Sequence, residues 1–299
     1  MIMVNRGEKY MAEGNKILER KTFWGFGKTK KYEDAIEVFT KAGYAFKIEN
    51  DLESAGNAFL KVAKYIKQEN SEFFEYSYTK ILIEAGNCFK KINPEKTIKI
   101  FNRVIEINNE EGKFYQSARY YQEIGEIYET IDNPIEAMNA YQQAVNLFIA
   151  DNKLQEKTKC LLNIAKIASS LDEFSKAAEI FESIAYEYVS MNNRLIAYSV
   201  RGYILQCCLC YFSIGDSVSA RSKLENFKNM DNTFASCREC SFIENICIAF
   251  DGFNIDHFHN TCEEFDRITP FDSWKTNILL KAKKHIELII EIEDEINLS

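Results

Sequence analysis

Turn-forming residues are scarce in this chain: only 3 prolines and 12 glycines occur among 299 residues. A turn-rich β architecture is therefore excluded. Histidine occurs only at 257, 259 and 285. Neither a G-x-S-x-G elbow nor a G-x-x-x-x-G-K-[ST] loop is present, and no catalytic constellation can be assembled, so the chain reads as a non-enzyme that needs no cofactor. No apolar run approaches the roughly 20 residues a membrane span requires. The N-terminus lacks the apolar core of a secretory signal. An excess of positive charge is missing too. The net charge is −8, which argues against a nucleic-acid binder, since that function needs a basic face to displace counterions. With no secretory signal, the nine cysteines read as reduced thiols of a cytoplasmic protein.

What the chain does have is a repeat. Asn133 to Phe148 reads NPIEAMNAYQQAVNLF. Asn133 suits a helix cap and Pro134 a first turn. Ile135, Met138, Tyr141, Ala144, Val145 and Phe148 form an amphipathic stripe. Ala137 precedes Tyr141 by one turn, so a neighbouring helix can approach at the alanine while the ring fills the space beside it. Thr97/Phe101 and Ala177/Phe181 repeat this small-then-aromatic pair, with the aromatics 40 residues apart. Ala35/Phe39 and Ala55/Phe59 are earlier copies. Two helices per 40 residues predict an all-α, tetratricopeptide-like α-solenoid of antiparallel helix pairs.

Helices are predicted over 1–20, 31–48, 51–69, 76–92, 95–108, 113–130, 134–150, 153–170, 173–191, 195–214, 217–229, 235–250, 256–267 and 273–297. We expect residues 1–229 to form the repeat array, with a special loop at 21–31, and residues 230–299 to form a C-terminal helical bundle with an acidic tip.

Three stretches depart from the repeat. Phe23, Trp24 and Phe26 stand among glycines and lysines without helical period. That composition suits a membrane-surface anchor, with rings in the interface and lysines at anionic headgroups. A hydrophobic plug beneath the first repeat is the alternative. Cys237 and Cys240 have the spacing of half a zinc site, with His257, His259 and Cys262 downstream. They lie in a helical pattern without a second CxxC, and Cys207, Cys208 and Cys210 read as small buried residues. In the last helix, Lys281, Lys283 and Lys284 come first, and Glu287, Glu291, Glu293, Asp294 and Glu295 come last. Acids at a helix C-terminus oppose its macrodipole. The tail is either a solvated, fraying end or an acidic tip offered to a basic partner.

The pieces Ala55-Gly-Asn-Ala-Phe59, Ala85-Gly-Asn-Cys-Phe-Lys-Lys91, Glu126-Ile-Tyr-Glu-Thr130, Lys159-Cys-Leu-Leu162, Arg238-Glu-Cys240, Trp274 and Leu279-Leu-Lys-Ala-Lys-Lys284 resemble, in this order, the soluble NSF attachment protein family, its alpha type in particular. The resemblance runs from Phe23 to Leu298. It implies an adaptor in vesicle-mediated transport. By that resemblance, several copies are expected to wrap the four-helix SNARE bundle left after membrane fusion, and to recruit and stimulate the hexameric AAA ATPase NSF to take it apart. It implies SNARE contacts at Lys113, Arg119, Lys159, Arg201 and Arg238, with arginine replacing the family's usual lysine at 119 and 201. Asn163 stands where the family usually has lysine. The loop of Phe23, Trp24 and Phe26 matches the family's membrane-attachment loop, implying a peripheral position on the cytosolic face of membranes. Asp216, Asp251, Asp294, Glu295 and Leu298 match positions facing the ATPase, while Ile296 and Asn297 replace usual acids. The other class of reading is a tetratricopeptide-like scaffold in trafficking that activates no ATPase.

Overall fold

The computed structural model describes residues 6–20, 28–69, 72–191, 194–231 and 233–297. Side chains at 69, 72–76, 194–198 and 293–297 are not described. Among the described residues there are fourteen α-helices, one short 3-10 turn and no strand. The chain divides into two compact units, Met1–Cys160 and Leu161–Ser299.

The first unit holds α1 (Arg6–Glu19), α2 (Lys28–Ile48), α3 (Leu52–Glu69), α4 (Glu72–Phe89), α5 (Pro94–Glu110), α6 (Phe114–Thr130), α7 (Pro134–Ala150) and the first turns of α8 (Leu154–Ser170). From α1 to α7 each helix packs on the next in sequence, as expected of antiparallel neighbours joined by short connections. The small-then-aromatic pairs form its spine: Ala35, Phe39, Ala55, Phe59, Thr97, Phe101, Ala137 and Tyr141 are all fully buried. Ile135 departs from the expected stripe. It lies in the first turn of α7 and is 61% exposed, so the buried face begins at Ala137.

The aromatic rings have glycine partners on the preceding helix. Phe39 lies over Gly14, Phe59 over Gly43, Phe101 over Gly86 and Tyr141 over Gly125; a Cβ at any of these glycines would stand 2.4–2.8 Å from ring carbon. Each ring thus sits on bare backbone, and the helices close to a separation that alanine would prevent.

The connections obey a stricter period than the cores. Gly112, Asp132, Asn152 and Asp172 follow one another at 20-residue steps, all with positive φ (70°, 56°, 53° and 62°). Glycine, asparagine and aspartate tolerate this left-handed conformation best. The next amide returns to a helix carbonyl: Lys113 N to Asn108 O (2.7 Å), Asn133 N to Tyr128 O (3.0 Å), Lys153 N to Phe148 O (2.9 Å) and Glu173 N to Ala168 O (2.9 Å). Such bonds satisfy the last carbonyls and stop each helix. Two helices start with a side-chain cap ahead of a proline: Asn93 and Asn133 accept from Lys96 N (3.0 Å) and Glu136 N (3.3 Å), whereas Lys113 and Glu173 make no such bond.

The second unit contains the end of α8, then α9 (Phe174–Ser190), α10 (Arg194–Ser213), α11 (Ser217–Met230), α12 (Arg238–Asp251), α13 (Ile255–Asp266) and α14 (Ser273–Asn297). Here α10 is the hub, packed by α9, α11, α12 and α14. Its Cys207, Cys208, Leu209, Cys210 and Phe212 are buried. α14 is tied down at both ends of its buried face. Trp274 Nε1 donates to Ser169 Oγ (2.8 Å), its ring lies edge-on to Phe181 with centroids 5.6 Å apart, and His285 Nε2 donates to Ser213 O (2.9 Å).

The helix expected from Ala235 begins only at Arg238. Phe234–Ser236 forms the 3-10 turn, and Cys237 is extended (φ −88°, ψ 159°) as the cap, its Sγ accepting from Cys240 N at 3.3 Å. The CxxC spacing is thus occupied by a cap-to-third-residue contact between two buried cysteines.

Candidate binding surfaces

In the first unit, Lys113 is the N-cap residue of α6, exposed, and paired with Glu111 at 2.6 Å. Arg119 lies further along the same helix, exposed, and Lys159 is exposed on α8. Both flank buried groups. Burial raises the Tyr120 phenol, with Glu123 adding and Arg119 opposing. Burial likewise pushes the Cys160 thiol up to about 12 against the pull of Lys159. Asn163, half-buried on the same helix, adds no charge.

In the second unit, Arg201 on α10 is half-buried and acts on the Cys237 thiol, lowering it against the stronger effect of burial. Arg238 follows Cys237 directly, so the structure brings these two arginines to one region. Arg238 is held in place. Nη1 donates to Thr269 Oγ1 (2.8 Å), Nη2 to Phe265 O (3.3 Å), and the guanidinium lies 5.0 Å from the Phe265 ring centre. A restrained guanidinium loses less freedom when it binds a carboxylate, and its remaining donors keep their fork geometry. Arg238 and Arg267 line a cleft of about 380 Å³ together with buried Phe242 and Phe265 and exposed Ile268. Arg267 carries no motif and was missed in the sequence.

The acidic positions divide differently. Asp216 caps α11, accepting from Ser219 N at 2.8 Å. Asp251, at the end of α12, forms an ion pair with Arg221, which also donates to Cys247 O at 3.4 Å. Asp294 and Glu295 belong to the last turns of α14, where only the backbone is described. Leu298, and the loop residues Phe23, Trp24 and Phe26, lie outside the described residues.

Among the described residues no three His, Cys, Asp or Glu side chains gather as a metal-holding group; His257 and His259 lie on α13 without joining Cys237 and Cys240 in one. Among the same residues no helix is long and apolar enough to cross a membrane.

Fold and surfaces together define an all-α protein of tetratricopeptide-like helix pairs, with exposed cations in both units. The family described as soluble NSF attachment protein, SNAP, matches residues 5–287, and the chain belongs to this family. It is 34% identical over 263 residues to the beta-soluble NSF attachment protein of Bos taurus, covering 88% of this chain and 86% of that one. It is 32% identical to the human alpha-soluble NSF attachment protein, covering 88% and 87%. The probable vesicular-fusion protein sec17 homolog of Schizosaccharomyces pombe is 30% identical, covering 91% of each chain.

Proposed function

We propose that this protein is a cytoplasmic adaptor that binds assembled SNARE complexes and recruits and stimulates an NSF-type AAA ATPase to disassemble them. It has no catalytic activity and no cofactor of its own. The observation that supports this best is family membership over residues 5–287, joined to basic side chains at the five positions that the resemblance assigns to the SNARE bundle, with Asn163 as the one uncharged departure from the family's usual lysines. Lys113, Arg119 and Lys159 of the first unit and Arg201 and Arg238 of the second meet the acidic bundle. Each exposed pair contributes only ~0.2–1 kcal/mol, so affinity comes from several pairs and several copies acting together. Phe23, Trp24 and Phe26 attach the protein to the membrane surface, raising its local concentration beside the bundle. Asp216, Asp251, Asp294, Glu295 and Leu298 face the ATPase.

The test is ATP-dependent disassembly of a preformed SNARE bundle by purified ATPase, with and without this protein. Strong stimulation is expected. Bundle binding without stimulation would favour a tetratricopeptide-like scaffold instead.

A further inference from the structure

Among the described residues seven take positive φ. Asn50, Gly112, Asp132, Asn152, Asp172 and Gly215 are of the kinds that adopt it readily; the seventh is Phe253, at φ 45°. The backbone around Phe253 is the ordinary turn of this chain. Asn254 N returns to Ala249 O at 2.9 Å, as Asp216 N returns to Tyr211 O at 3.0 Å after Gly215. The turn itself therefore does not call for a ring, and the residues used elsewhere would close it with less strain. Phe253 is also only half-buried, so packing takes up only part of its surface. Strain kept where a smaller residue would relieve it points to a side chain used outside the fold.

The packing of α11 against α12 determines what shares this end of the second unit. Arg221 pairs with Asp251, and Lys228 with Glu244. The two helices thus run antiparallel, and the start of α11 adjoins the end of α12. Asp216 and Val218 open α11; Asp251 and Phe253 close α12. On both helices the apolar residue follows the acid by two, Asp216-Ser-Val218 and Asp251-Gly-Phe253. Val218 is 78% exposed, and Ile214 in the α10–α11 turn and Ile248, one turn before Asp251, are exposed as well. α14 reaches the same end, since a Cβ at Gly215 would stand 3.0 Å from His285 Nδ1.

We propose that Phe253 and Val218 are the apolar anchor of the ATPase-facing surface, received by a hollow in a cationic face of the ATPase. This rests on the reading above that Asp216 and Asp251 face the ATPase. Apolar side chains rimmed by charge of one sign fit a partner whose rim has the other sign. The acidic rim disfavours the acidic SNARE bundle and an anionic bilayer as occupants. The carboxylates steer the encounter, and the ring, desolvated in its hollow, holds the complex. A left-handed backbone at residue 253 fixes the direction in which that ring leaves the turn, so little freedom is lost when it is received.

Equilibrium binding of purified ATPase to the protein–SNARE complex at two ionic strengths, beside thermal unfolding of the full chain, tests this. Phe253→Asn relieves the left-handed strain, so it should leave the unfolding midpoint level or raise it by up to about 4 °C. The same variant should weaken ATPase binding about tenfold or more. Val218→Ser, at an exposed site, should weaken binding too, with the midpoint unchanged. Both losses should persist at the higher ionic strength, whereas the loss caused by Asp251→Asn should shrink there. Full binding by Phe253→Asn, while Asp251→Asn weakens it, would overturn the anchor and leave the acidic reading standing. Full binding by all three variants would remove this end of the unit from the ATPase interface and overturn both. A lower midpoint for Phe253→Asn would make the ring a plug of the α12–α13 turn and overturn the proposal equally.

Discussion

Tyr141 lies directly over Gly125: a Cβ at the glycine would stand 2.8 Å from the ring, while the Tyr141 hydroxyl donates to the Glu129 carboxylate one turn further along α6. The ring is wholly buried and fixed at both ends, so it cannot swing aside. Gly125→Ala would normally favour a helix. Here it should instead destabilise the first unit by about 1–3 kcal/mol through overpacking. Thermal unfolding measures this. An unchanged or higher midpoint would mean that α6 and α7 separate freely, and that the glycine contacts do not set helix spacing.

That pairing shows where sequence reading stops. Ala137 and Tyr141 are legible because both lie on one helix, where a four-residue step is a local signal. Gly125 belongs to the preceding helix, and nothing within α6 marks it as the seat of a ring. The 20-residue turns were hidden for another reason. Gly112, Asp132, Asn152 and Asp172 share a conformation, not a residue type. Cys237 and Cys240 show why spacing alone is ambiguous, since a metal half-site and a thiol cap both set two residues three apart. The five basic positions carry no local signature, since an exposed cation on a helix looks like any other; the family resemblance alone singled them out. Arg267, beside Arg238 across a chain reversal, needed the fold.

The buried thiols make stability fall in alkali. Burial pushes Cys160, Cys207 and Cys262 up to about 12 and Cys240 up to about 11, and also raises Cys208 and Cys210. Unfolded thiols titrate near ~8.5. Between these limits the folded chain keeps protons that the unfolded chain loses, so rising pH favours unfolding. The contribution is complete below the unfolded value and is lost as pH climbs toward the folded ones. The unfolding midpoint should therefore drop from about pH 8.5 upward. Native protein at pH 8 should show far fewer reactive thiols than the nine of the sequence, with all nine appearing in denaturant. Immediate reaction of all nine in the native state would refute the buried assignment.

Lys113 and Lys159 are exposed, so reversing them should spare the fold. Lys113→Glu with Lys159→Glu should change stability by no more than about 0.5 kcal/mol per site and abolish capture of the soluble SNARE bundle. Retained capture by a well-folded double variant would remove these two residues from the binding surface.

If Phe23 and Trp24 attach the protein to membranes, as proposed, that role is separable from bundle binding. Phe23→Ser with Trp24→Ser should lower flotation with anionic liposomes while leaving binding to the soluble bundle intact, because an interfacial ring acts only where a bilayer is present. If the loop were a plug beneath the first repeat, the same variant would lose thermal stability and bundle binding together.

Asp251 offers a different experiment, because its charge is already shared with Arg221. If Asp251 engages a basic surface of the ATPase, Arg221 competes with that surface. Arg221→Gln should then strengthen recruitment of the ATPase to a protein–SNARE complex, while Asp251→Asn should weaken it; the pair is partly exposed, so each change should be modest, ~0.2–1 kcal/mol. Stability discriminates the structural alternative. An ion pair that merely fastens α11 to α12 predicts that both variants lower the unfolding midpoint and leave recruitment unchanged. Opposite signs in recruitment, read by equilibrium binding at two ionic strengths and shrinking at the higher one, can arise only if the carboxylate is exchanged between Arg221 and the ATPase.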